Sequence, residues 1–414
     1  MRILELEIKR VLTTKLTWIL LTAAFALSVL LAYVPVTFES VTYTGEQGEE
    51  IQLKGVEAVN YLREIRTDMA GDVTPEKVET VMKTFQECLA QYGAEDMYDL
   101  PDEANLEGLL PYWDYIDRIR EMYSDTETGM SPPISEMDLS ETERLYDKVM
   151  ERTESLMKME QQDYMSAQEA AMKMYSNVEK PFQYYSGISS NSMDYQVLLI
   201  YIILILCVVI AAPIFTSDYQ TGADDILRCT KHGRGKLAAA KIISALLICG
   251  GTFLICQVIW IVITNSLFGW ESTKTSLQFL YSISSLPNLN IGEVQLLNTG
   301  AGFLMFLAMV SCALYLSTKM GSTVSSLALA LFFCFLPMLV ISAAPQKLGL
   351  WLQCLLPGGG IGLQNSFLFS LIDFKFLHLG NVSVWTPYAM IFFALIQIPL
   401  FLGLAVRSHC KMRG

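Results

Sequence analysis

FTSDYQTGADDILRCTKHGRGKLAAAK, residues 215–241, separates two long apolar runs, 196–214 and 242–263, and its charges orient the whole chain. It carries five cations, Arg228, Lys231, Arg234, Lys236 and Lys241, preceded by three carboxylates, Asp218, Asp224 and Asp225. Short loops rich in Lys and Arg stay on the cytoplasmic side of a membrane protein. The segment therefore reads as a cytoplasmic loop with a short polar helix suited to docking a soluble partner.

Four more apolar runs, 16–34, 297–317, 322–343 and 387–406, bring the number to six, and none of the six contains Asp, Glu, Lys or Arg. Each has roughly the 17–25 residues a helix needs to cover a bilayer core. The expected fold is an all-α polytopic membrane protein with six transmembrane helices. Buried helices of a soluble protein would show polar stripes. Basic residues place both termini in the cytoplasm, with four at 1–15, five at 215–241, one at Lys319 and three after Val406. The opposite short loops carry only Lys274, Lys347 and Lys375. The run 16–34 is too long for a signal h-region and lacks a small-x-small cleavage site, so it reads as a retained span.

Residues 35–195 hold 13 basic and 34 acidic residues, a net −21, whereas the rest of the chain nets +8. The acidity thus belongs to one extracytoplasmic domain, not to a nucleic-acid mimic, and no nucleic-acid partner is expected. Its sequence opens with a possible hairpin over 38–53 and then turns helical: 55–68, a helix capped by Thr74 and ending at Gly93, 109–123, and a long helix over 140–175. Ser140 and Glu143 form a capping-box pattern there, and Leu145, Val149, Leu156, Met159 and Met172 a core stripe. Among nine cysteines only Cys88 lies in this domain, so helix packing and not disulfides must hold it. Residues 1–15 form an amphipathic helix that either lies in the interface or extends the first span. The outer loop 264–296 is short, and 344–386 reads as a re-entrant or interfacial pair of apolar segments around Pro357-Gly-Gly-Gly360. Residues 407–414 form a cytoplasmic tail.

No catalytic constellation is present, and no cofactor or metal is expected. In the nearest approach to a phosphate loop, Thr230 stands where the first Gly is needed and Leu237 where the hydroxyl is needed. Histidines His232, His378 and His409 match no metal-ligand spacing. Spans without ionisable groups disfavour proton- or sodium-driven transport and point to an external energy source.

The string Phe215, Asp218-Tyr219-Gln220-Thr221-Gly222, Ile226-Leu227, Gly233-Arg234 and Lys241 resembles the segment after the second span in permeases of type-2 ATP-binding-cassette exporters. The resemblance covers the membrane half and says little of 35–195, although one branch inserts a large outer domain there. Ala223 replaces a Thr often found after the Gly. The resemblance implies a permease of a bacterial cytoplasmic membrane that pairs with itself or a sister subunit, contacts membrane lipid, and is driven by a separate ATPase. It implies a coupling helix, with Asp218, Tyr219, Gly222, Asp224, Asp225, Leu227, Arg228, Gly233, Arg234 and Lys241 as ATPase-coupling residues. The competing reading is a membrane-anchored receptor or scaffold that binds a peptide or envelope partner through its outer domain, for which six spans are excessive.

Overall fold

The computed structural model describes residues 2–44, 49–101, 104, 108–229 and 234–411. Helix α1 (Arg2–Leu12) is a separate amphipathic element, divided from α2 (Lys15–Phe38) at Thr13 and Thr14. The chain then makes the hairpin β1 (Ser40–Thr44) and β2 (Glu50–Lys54), in which Val41 faces Leu53 and Tyr43 faces Ile51. The longer helices that follow among the described residues are α3 (Val56–Ile65), α4 (Pro75–Tyr92), α5 (Trp113–Tyr123), α6 (Leu145–Glu160) and α7 (Met165–Tyr175).

Helix α4 begins and ends where its sequence dictates. Thr74 Oγ1 accepts the Lys77 N–H, Pro75 occupies the first turn, and Gly93 closes the helix at a φ of 67°. The long helix expected over 140–175 is instead a 3-10 stretch, Leu139–Arg144, followed by α6 and α7. Asp138 replaces the expected Ser140 as cap, its carboxylate accepting the Ser140 N–H at 2.9 Å. No Gly or Pro marks the break between α6 and α7. There Gln161 Nε2 donates to the Phe374 carbonyl at 2.8 Å, a tertiary contact that sequence-local propensity cannot register. The buried stripe of α6 is Leu145, Val149, Thr153 and Met157, each one turn after the last, while Met159 is exposed. Two buried phenols tie this region together. Tyr115 donates to the Met69 carbonyl and Tyr175 to the Ile283 carbonyl, and burial pushes both hydroxyls well above the usual tyrosine range.

The main elements of the rest of the chain are α8 (Ser190–Ala211), α9 (Pro213–Thr221), α10 (Ala223–Arg228), α11 (Gly235–Phe268), α12 (Ile291–Lys319), α13 (Thr323–Ala343), α14 (Gln346–Leu355), α15 (Phe367–Ile372), the hairpin β3 (Phe376–Leu379) and β4 (Val382–Trp385), and α16 (Thr386–Cys410). Among the described residues, six helices are long and apolar enough to cross a membrane: α2, α8 running on into α9, α11, α12, α13 and α16. Helix α12 lies along α16, and α2 packs between α8 and α11. Small residues of α12 serve this internal packing. A Cβ on Gly302 would stand 3.2 Å from Ile200 Cδ1, and Ser311 and Ala313 are fully buried, whereas Gly300 faces open space.

Where α8, α11 and α12 meet near Gln196, the packing is polar without being charged. Gln196 Nε2 contacts Gln257 Oε1 at 3.2 Å, the Gln295 carbonyl at 3.1 Å and Thr299 Oγ1 at 3.1 Å. Asn298 donates to Gln196 Oε1, and Asn265 and Gln295 exchange two amide bonds at 2.9 Å. These neutral amides join α8, α11 and α12 where lipid offers no alternative partner.

The helices divide the molecule into two ends. Helices α1, α9, α10 and the last turn of α16 meet at one, through Arg10–Asp218 and Tyr219–His409 contacts. The described residues of 40–188, the α11–α12 connection and the α13–α16 connection meet at the other, through Tyr175–Ile283 and Gln161–Phe374. The Pro357-Gly-Gly-Gly360 turn is wedged into that second end. A Cβ on Gly359 would lie 1.6 Å from the Gln353 carbonyl oxygen, and one on Gly360 would lie 2.2 Å from Met305 Sδ. Gly359→Ala is expected to lower stability by more than about 3 kcal/mol, because backbone blocks the methyl. Gly403→Ala, with nothing within 4 Å, should be neutral or stabilising. Thermal unfolding of the two variants in detergent checks the contrast.

Candidate functional site

Residues Glu7 and Arg10 are three apart on α1, and Ile214 and Asp218 four apart on α9, so each pair shares a helix face. Lys241 stands in the second turn of α11. These three faces meet in a closed ionic quartet. Asp218 divides its oxygens between two cations, Oδ1 at 2.8 Å from Arg10 Nη1 and Oδ2 at 2.6 Å from Lys241 Nζ. Glu7 Oε2 lies 2.9 Å from Arg10 Nη2 and 3.7 Å from Lys241 Nζ. The Ile214 carbonyl accepts from both cations, at 3.1 Å from Arg10 Nη2 and 3.3 Å from Lys241 Nζ. Lys241 has 0% of its side chain exposed, and its ammonium lies 5.8 Å from the Phe215 ring centroid. Two positive and two negative charges close the quartet at net zero.

Beside it, the last turn of α16 supplies His409, which is fully buried. Its Nδ1 is 3.2 Å from the Tyr219 hydroxyl and 4.0 Å from Asp224 Oδ1, and its ring is 5.2 Å from that of Phe215. Gly222 lies between α9 and α10 in the left-handed region, φ 71°, which an L side chain adopts only under strain. Past this turn α10 shows two faces. Asp224 is buried toward α16, whereas Asp225 and Ile226 are exposed, Ile226 by 74%.

The expected coupling residues therefore separate. Asp218, Asp224 and Lys241 are buried, with Tyr219 and Leu227 half-buried beside them. Gly222, Asp225 and Arg234 face outward, Arg234 at the start of α11. Gly233 and the Arg228 side chain lie outside the described residues. Sequence reasoning missed Glu7, Arg10 and His409 as members of this site. The i,i+3 pairing of Glu7 with Arg10 was visible in the sequence, but its partner on α9 was not. His409 carried no signal, since a lone histidine near a terminus is ordinary.

A family profile described as ABC-2 family transporter protein matches residues 1–408. The chain belongs to this family: it is a multi-pass membrane protein and a permease component of an ATP-binding-cassette transporter. Members of the family are transmembrane components and not themselves catalytic. No curated protein matches the chain.

Asp218→Ala would leave the buried Lys241 ammonium beside the half-buried Arg10 guanidinium with Glu7 as their one remaining carboxylate, and removing one member of a buried ionic group typically costs about 3–5 kcal/mol. A fall of that size in unfolding free energy, read as a lowered melting temperature in detergent, is expected. Adding Lys241→Met to Asp218→Leu leaves Glu7–Arg10 as a pair and should recover at least half of the loss.

Proposed function

We propose that the chain is the membrane subunit of an ATP-driven exporter in a bacterial cytoplasmic membrane, with both termini cytoplasmic. It works as a pair, with a second copy or a sister subunit, and a separate ATPase docks on α10. The observation that carries this reading is the exposure of Ile226 beside Asp225 on a helix whose other face is anchored. A large aliphatic side chain projecting at the tip of a bundle is a natural anchor for a partner pocket. Family membership supports the identity of that partner.

In this reading the ATPase contacts Gly222, Asp225, Ile226 and Arg234. Displacement of α10 passes to α16 through Asp224 and His409, and to α1 and α11 through Asp218 and Lys241. The residues facing inward thus transmit, and those facing outward bind. Residues 35–195, 264–296 and 344–386 form the extracytoplasmic end, where the transported molecule leaves.

Ile226→Asp together with Asp225→Lys should lower co-purification of the ATPase at least tenfold, and permease-stimulated ATP hydrolysis with it. Expression and melting temperature should stay at wild-type values. Retained stimulation would exclude α10 as the docking element.

Orientation has its own check. Cys229 follows α10 and is exposed, while Cys88 and Cys410 are half-buried and the other six cysteines are buried. With Cys88 and Cys410 changed to Ser, a membrane-impermeant maleimide should label Cys229 only after the cells are opened. Labelling in intact cells would place α10 outside.

A further inference from the structure

A cavity of about 400 Å³ opens where the break between α6 and α7 meets α14 and β3. That volume suits a small-molecule site, and such sites favour junctions between structural units. Its position identifies the surrounding medium. Lys347 comes four residues after Ala343, the end of the membrane-crossing helix α13. Helix α14 also turns Leu348 and Leu355 outward, both about half exposed. The cavity therefore lies at the boundary between hydrocarbon and water.

Its lining combines aromatic and aliphatic surface with charged groups. Trp351 and Tyr164 give aromatic surface, and Tyr164 stacks on His378 with centroids 3.4 Å apart. Lys347 Nζ donates to the Tyr164 hydroxyl at 2.9 Å and lies 5.1 Å from its ring centroid. Burial and the nearby Lys347 ammonium push His378 below the usual histidine range, so the imidazole adds no charge near neutral pH. Four charged residues line the site: Lys347 and Lys375 against Glu160 and Asp373, with Lys375 paired to Asp373. The sum is zero.

We propose that this cavity binds the head group of a membrane phospholipid carrying both a phosphodiester and a primary ammonium. The phosphate accepts from Lys347 and Lys375, and the ammonium donates to Glu160 and Asp373. Trp351 lies at interfacial depth, where indole rings favour the head-group level. The acyl chains run along the exposed leucines of α14. A purely anionic head group would bring its charge against two carboxylates, so the neutral sum selects the zwitterion. This assignment stands whether or not an ATPase docks on α10.

The test uses the full chain in detergent, with bound lipid counted by native mass spectrometry. Three probes are titrated: phosphatidylethanolamine, phosphatidylglycerol and soluble phosphorylethanolamine. One phosphatidylethanolamine per chain should be retained, at least about tenfold more tightly than phosphatidylglycerol, with soluble phosphorylethanolamine weaker than either. Lys347→Gln with Lys375→Gln should weaken phosphatidylethanolamine about tenfold, and Glu160→Gln should abolish the preference over phosphatidylglycerol. Unchanged melting of these variants shows that they fold. Equal or tighter binding of phosphatidylglycerol to the unaltered chain overturns the proposal, as does binding indifferent to the lysine changes. Soluble phosphorylethanolamine binding as tightly as the lipid would assign the site to a free phosphate ester and overturn it too.

Discussion

Asp218 holds together two cations that would otherwise repel each other, one of them, Lys241, wholly shielded from water and the other, Arg10, half-buried. Its carboxylate reaches Lys241 at 2.6 Å and Arg10 at 2.8 Å, and Glu7 completes the neutral set. Ions sequestered from solvent keep their place only when every partner is present, because each uncompensated charge carries a desolvation cost of several kcal/mol. The quartet is consequently all-or-none. Helices α1, α9 and α11 are bound as one rigid base, and α10 leaves that base through the single left-handed residue Gly222. A force on α10 is thus delivered to helices and not absorbed by a loose loop.

The other end of the bundle is joined by different chemistry. Gln196, Gln257, Gln295, Asn298 and Asn265 knit α8, α11 and α12 with neutral hydrogen bonds. Amide pairs can exchange partners without creating a bare charge, so this network tolerates a change of register far better than the ionic quartet does. One end of the helices is suited to transmit as a unit and the other to rearrange.

The spans were legible because some twenty uncharged apolar residues in succession have few other physical explanations. Helix α4 was legible because its start and stop are encoded locally by Thr74, Pro75 and Gly93. What local sequence could not carry was the direction of a side chain. Asp218 and Lys241 are 23 positions apart, and nothing in that spacing says that the two meet at 2.6 Å. Charges in a predicted loop read naturally as solvent-facing docking groups, and tertiary packing alone turned these inward. The same limit hid the break after α6, which depends on a carbonyl more than two hundred residues away. The hairpin of β3 and β4 escaped as well, since it is four residues a side and its polar members, His378 and Ser383, bond each other.

The placement of charge also constrains how such a bundle can be powered. Among the described residues of the six membrane helices, acidic and basic groups gather near the helix ends: Asp218, Lys241 and His409 at one, Asp194 and Glu293 at the other. The middle holds amides, hydroxyls and thiols. A proton or sodium ion crossing there would find, among the described residues, no carboxylate, imidazole or basic side chain to bind, and a bare cation in hydrocarbon is costly. A displacement applied by a docked ATPase, as proposed above, would act on the end of the molecule that the quartet makes rigid.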